Sequence, residues 1–260
     1  YIDGFCGPDG KVAVYDKQRD SIQSIRKSPK SIFFELDRHS VEINGIKLSI
    51  LEDQLFSDTD SRLAPYLIKL RDEPYTDEIL TIERQTHMSV FLIDIFWRNP
   101  KTDYAAMDLF QRSKMTFFDE ETGNRFEDSE KERRYKEDVV NRKLERFRIH
   151  VESMLQITAA RIPGFTYSKL WEFKQSPFIL SDFPLIFSKT PQTHTDLGKL
   201  DHFFPISSNR LYACNELIGL NFELGDSLII NALQIDQATS FVVAASRECL
   251  ERSISFYKSA

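Results

Sequence analysis

Cysteine is scarce in this chain. Cys6, Cys214 and Cys249 are odd in number, far apart and never spaced as a C-x-x-C pair. This argues against a disulfide framework or a cysteine-based zinc site, and it fits a reducing cytoplasm. Glycine is sparse too, at nine residues in 260. No G-x-S-x-G elbow, Walker loop or G-x-G-x-x-G turn occurs, so no glycine-rich phosphate cradle is expected. Long apolar runs are missing. Uncharged stretches such as Met88 to Ile93 fall well short of the roughly 20 residues a bilayer-spanning helix needs. The chain does not open on a basic segment followed by an apolar one, so secretion is not expected. It starts at Tyr1 rather than Met, and the natural N-terminus is expected to lie upstream.

What the chain does have is core-forming material. It is 41% hydrophobic with 21 phenylalanines, enough for a sizeable interior in one large domain or two small ones. The net charge of −6 argues against a non-specific nucleic-acid coat and leaves a local basic groove open.

The period of the apolar residues changes twice. Gly7-Pro8-Asp9-Gly10 is a turn, followed by a strand over Lys11–Tyr15, and Ser31–Glu35 and Val41–Ile43 read as further strands. Asn44-Gly45 predicts a hairpin between Val41–Ile43 and Ile46–Ile50, because both residues tolerate the positive φ of a type I′ turn. From Leu51 the spacing is helical through Leu55, Leu63, Leu67 and Leu70, with a kink or break expected at Pro65. Further helices are expected from Thr81 to Arg98, over Tyr104–Phe118, and from a Ser129/Glu132 capping box along the stripe Val140, Leu144, Phe147, Val151 and Met154 to Pro163-Gly164. Residues 119–138 mix both signs of charge and read as an exposed loop leading into that helix, available to a protein partner. Strands return over Tyr167–Phe173, His202–Ile206, Arg210–Cys214 and Phe241–Ala245, with a helix over Ser227–Thr239 and a helical or mixed tail.

The stretch Phe178–Phe187 joins two short β-favouring runs through Ser181-Asp182-Phe183-Pro184. An acid held rigidly at a strand end is a candidate for binding or catalysis, although Asp before Pro is also ordinary turn chemistry. On the Ile82–Arg98 helix, Arg84, His87, Asp94 and Arg98 fall within an arc of roughly 80° on an otherwise apolar surface. They form either an ion-pair ladder at the solvent edge or one wall of a polar pocket. His194, Asp196, Asp201 and His202 cluster in one loop without any established metal spacing. A solvated loop is the better reading there, and no metal site or cofactor is assigned.

Several segments together resemble a bacterial family known as domain of unknown function 4238. Its members open with His-Tyr-x-Pro, then Tyr-Leu and a Phe, and pass through a strand like Gly10–Asp16. Leu51-Glu52-Asp-Gln-Leu55 resembles the family's Ile-Glu-x-x-Leu, and Asp60 stands where the family tends to have Glu. Thr81–Pro100 is similar to a helix ending in Arg-x-Pro, which picks out Arg98. Ser181–Pro184 resembles Thr-Ser-Asp-Asn-Pro with Phe183 in place of Asn. Phe204–Ser207 resembles Phe-Pro-Leu-Ser, and Asn231 matches a late Asn. The opening His-Tyr-x-Pro is absent here. The resemblance implies bacterial origin and a shared fold, and it carries no reaction with it.

The expectation is a single α+β domain over 1–260, with helices at about 51–162 packed against β segments from both ends. Asp182, His87 and Arg98 are expected to share a polar pocket with Glu52 and Asn231 near its rim, and with Arg84 and Asp94 as ligand-binding neighbours on the stripe. The function favoured is an intracellular hydrolase of a phosphate-containing or nucleic-acid substrate. Asp182 and Glu52 would then be metal-binding or general-base groups, His87 an acid/base and Arg98 an anion clamp. The rival is a non-catalytic interaction module whose polar residues pin the fold.

Overall fold

Strand-period ends and a helical middle assemble into four layers in the computed structural model. It describes residues 1–33, 38–43, 45–49, 54, 56–76, 78–159, 168–173, 177–189, 200–214 and 226–260. In chain order the elements are β1 (Ala13–Asp16), β2 (Ser21–Ile22), β3 (Val41–Ile43), β4 (Ile46–Leu48), α1 (Ser57–Asp72), α2 (Ile82–Arg98) and α3 (Asp103–Arg112). Then come β5 (Phe117–Phe118), β6 (Arg125–Phe126), α4 (Ser129–Glu137), α5 (Val139–Ala159), β7 (Ser168–Glu172), β8 (Leu180–Ser181) and β9 (Ile186–Phe187). The chain finishes with β10 (His202–Ser207), β11 (Arg210–Cys214), α6 (Asp226–Gln237), β12 (Phe241–Ala244) and α7 (Arg247–Ser259). The architecture is α+β.

Two antiparallel sheets, ordered β2-β1-β12-β8 and β7-β11-β10-β9, form the middle layers. Side chains alternate across each strand, so each sheet supplies two cores. From the first sheet Tyr15, Val242 and Ala244 meet Ile235 of α6 and Leu250 and Ile254 of α7. Val14, Leu180 and Val243 point the other way and meet Ile186 and Leu211 of the second sheet. The far side of that sheet sends Leu170, Phe204, Ile206 and Tyr212 into the helices, against Leu70, Phe91, Phe96 and Trp97. Because β1 pairs with β12, Val14 opposite Val243, the two ends of the chain share a sheet.

Helix α2 is central to the third core. Thr81 caps it, accepting from the Arg84 N–H at 3.2 Å, and Asn99-Pro100 stops it. It is buried on most sides: Met88, Leu92, Ile93, Phe96 and Trp97 are nearly fully enclosed. Each such side chain contributes roughly 1.5–3 kcal/mol through burial. The Phe178–Phe187 stretch does form two strands flanking a turn, but they belong to different sheets, so the turn carries the chain from one sheet to the other.

Several local expectations are corrected. Helix α1 runs through Pro65 without a break. Helix α3 stops at Arg112, and Phe117–Phe118 instead pairs with Arg125–Phe126 as a hairpin. The long helix is two helices. Asp128, not Ser129, caps α4 by accepting from the Glu130 and Lys131 N–H groups, and Asp138 interrupts the run and accepts from Asn141 N–H at 2.8 Å. The inward face of α5 carries Arg146, Phe147, Ile149, His150 and Ser153, whereas Leu144 is exposed. The expected stripe is therefore rotated, because the buried face includes polar residues that find partners inside. The hairpin β3–β4 forms with Gly45 at φ 75°. The strand expected from Ser31 does not form over its described part: Ser31 closes a 3-10 turn that starts at Pro29, and Ile32 and Phe33 are bends. Asn44, Leu51, Leu55, Pro163-Gly164 and residues 34–35 lie outside the described residues.

Candidate functional site

The i, i+4 spacing on α2 stacks Asp94 and Arg98 on one face, and α5 lays His150 against the same carboxylate. Asp94 is 1% exposed and uses both oxygens, Oδ1 3.0 Å from His150 Nε2 and Oδ2 3.0 Å from Arg98 Nη1. Arg98 also donates to Asp60 Oδ1 at 2.8 Å, from the first turn of α1. Burial alone would raise the Asp94 carboxyl; the His150 hydrogen bond and the Arg98 charge outweigh it and hold the group below the ordinary carboxylate value. Burial likewise works against the Arg98 charge, but Asp94 and Asp60 keep it above its usual value. Since an ionised Asp94 only accepts, His150 Nε2 carries the hydrogen and Nδ1 keeps its lone pair in the neutral ring. The set reaches solvent through Arg98 and Asp60, whose side chains are 30% and 54% exposed.

Phe56, at the start of α1, is the hub of this cluster. The Arg98 guanidinium carbon lies 4.6 Å from its ring centre, His150 stacks on it at 5.1 Å, and His39 meets it edge-on at 4.8 Å. Arg38 and Arg146 converge on Asp103 at the start of α3, at 2.8 and 3.1 Å. Arg38 also donates to the Arg98 carbonyl, and Arg146 to the Arg38 carbonyl. Burial, then the charges of Arg146, Arg38 and Arg98, press the His39 pKa down to about 3. His39 Nδ1 has no hydrogen-bond partner among the described residues.

The other expected residues go elsewhere. Arg84 pairs with Glu73 at 2.6 Å, and His87 stacks on Tyr66 with ring centres 3.5 Å apart, so this half of the stripe faces α1 as a polar seam between helices. Asp182 is occupied by backbone. Its carboxylate accepts from the N–H groups of Thr239, Ser240 and Phe241 at 2.8, 2.7 and 3.1 Å. Among the described residues its tie towards Arg98 is indirect: Asn99 Nδ2 donates to the Asp182 carbonyl at 2.6 Å. Asn231 is 1% exposed and joins α6 to the sheet and to α7, accepting from Ile179 N–H and donating to the Pro177 carbonyl and Ser253 Oγ. Glu52 lies outside the described residues, as do His194 and Asp196. His202 is buried in β10, bonded to the Leu200 carbonyl, and burial lowers its pKa to about 4. Among the described residues no group of three or more His, Cys, Asp or Glu side chains is disposed to hold a metal ion.

Sequence reading thus reached Asp94 and Arg98 by helical phase and Asp60 by resemblance, and missed His39, Arg38, Asp103, Arg146 and His150. Recurrence of charge on the apolar face of α5 was the signal available for the last two. A separate open cleft of about 570 Å³ lies at the C-terminal end of α1, lined by Arg71, Asp72, Glu172 and Arg210 among others. Arg210 is spent on the Leu70 and Glu73 carbonyls and on Glu172.

No curated protein and no solved structure matches this chain. One family model matches residues 1–248, nearly the whole length. The chain therefore belongs to the family described as "Protein of unknown function (DUF4238)".

Proposed function

We propose that this protein is a hydrolase of phosphate esters, nucleic acids included, acting in a bacterial cytoplasm, with its reacting groups around Phe56 and not around Asp182. The observation that carries this reading is the Asp94 carboxylate bridging His150 and Arg98 inside the helical block. Asp94 fixes the imidazole tautomer, His150 Nδ1 takes the proton of an attacking water, and Arg98 binds the anionic ester. An anionic substrate is supported by Arg98, whose guanidinium lies over the Phe56 ring at 4.6 Å with its side chain 30% exposed.

The test is turnover of p-nitrophenyl phosphate, bis-p-nitrophenyl phosphate and a single-stranded oligonucleotide, with and without divalent metal. His150→Asn and Arg98→Lys should each lower kcat by about 100-fold or more, with the helical circular dichroism unchanged. Unaltered turnover in both variants, or none in the wild type, would reject the reading.

One observation favours the rival reading of an interaction module. Asp182 and Asn231 spend their polar atoms on the fold, while the β5–β6 hairpin and α4 present Phe118, 62% exposed, beside a charged surface. That module would bind a protein partner through residues 119–138, and its Phe56 cluster would only pin helices.

A further inference from the structure

His39 is 6% exposed, yet its Nδ1 lacks a hydrogen-bond partner among the described residues. Folds seldom leave such an atom bare unless something else meets it. The ring is held in place, edge-on to Phe56 at 4.8 Å and tilted against Phe147 at 6.0 Å. The charged groups that bear on it are Arg146, Arg38, Arg98 and, if protonated, His150. The carboxylates nearest these are already engaged, Asp103 by Arg38 and Arg146, and Asp94 and Asp60 by Arg98. An imidazole beside guanidiniums stays neutral and keeps one N–H to donate.

We propose that His39 is an oxyanion-binding residue of this site, its Nδ1–H donating to a phosphoryl oxygen of the ligand while Arg98, on the same Phe56 ring, takes another. This deepens the phosphoester reading and rests on it for the ligand class. Arg98 supplies the planar fork suited to two oxygens, and His39 supplies a neutral donor at a fixed angle.

The experiment is calorimetric titration of the full chain with inorganic phosphate, against a sodium chloride control of equal ionic strength that separates binding from screening. Wild type binds phosphate. His39→Leu raises Kd by roughly tenfold or more, and His39→Asn, whose Nδ2 stands near the Nδ1 position, stays within about threefold. In ¹⁵N-labelled wild type the His39 Nδ1 resonance moves on phosphate addition, which decides the matter if His39→Leu fails to fold. Equal Kd in His39→Leu and wild type, no phosphate binding, or an unmoved Nδ1 resonance overturns the proposal. Phosphate binding through His39 without any turnover sinks only the hydrolase reading, and turnover indifferent to His39→Leu sinks only this one.

Discussion

The Asp94 carboxylate sits 3.0 Å from His150 Nε2, with both side chains almost wholly enclosed between α2 and α5. Removing one partner of such a set leaves the others uncompensated in a low-dielectric interior. Asp94→Ala should therefore cost about 3–5 kcal/mol, read as a fall in the urea midpoint at neutral pH. Because the folded pKa of Asp94 lies below its unfolded value, its contribution is whole at neutral pH. It should fade as pH falls below about 4, so wild type and variant should converge there.

His39 gives a second pH signature with the same sign. Its folded pKa is depressed to about 3, so below the unfolded value of about 6.5 the unfolded chain binds a proton that the folded chain refuses. Stability should drop as pH is lowered across that window. His39→Phe should flatten the slope, as measured by urea unfolding at a series of pH values.

Asp182 and Asn231 should behave as fold residues. Asp182→Ala strips three backbone N–H groups of their acceptor between α6 and β12. Asn231→Ala leaves the Ile179 N–H unmet and the Pro177 carbonyl with only the Cys249 thiol among the described donors. Each should cost about 1–3 kcal/mol, seen as a lower Tm by calorimetry.

Pairing of β1 with β12, and of Val14, Leu180 and Val243 with the second sheet through Leu211 and Ile186, predicts one cooperative unit. Far-ultraviolet circular dichroism and tryptophan fluorescence should report coincident urea transitions, since Trp97 sits in the helix core and Trp171 on β7. Separated transitions would point to two domains.

The α+β architecture was legible because hydrophobic period is a local property: the Thr81-capped α2, the β3–β4 hairpin and the β10–β11 pair all follow from neighbouring residues. The candidate site was half legible. Asp94 and Arg98 share a helix, so their phase shows in the sequence, whereas His150 reaches Asp94 across 56 positions. Asp182 stands out by its turn chemistry, but its partners at 239–241 come from the far end of the chain. A carboxylate waiting for backbone N–H groups looks, in sequence, the same as one waiting for substrate.

The most direct measurement compares kcat/KM on a phosphodiester for Asp94→Asn and Asp182→Ala, both assayed well below their Tm. Asp94→Asn should lose about 100-fold or more, while Asp182→Ala should stay within about fivefold of wild type. The reverse order, with Asp182→Ala inactive and Asp94→Asn near wild type, would contradict the placement of the chemistry at Phe56.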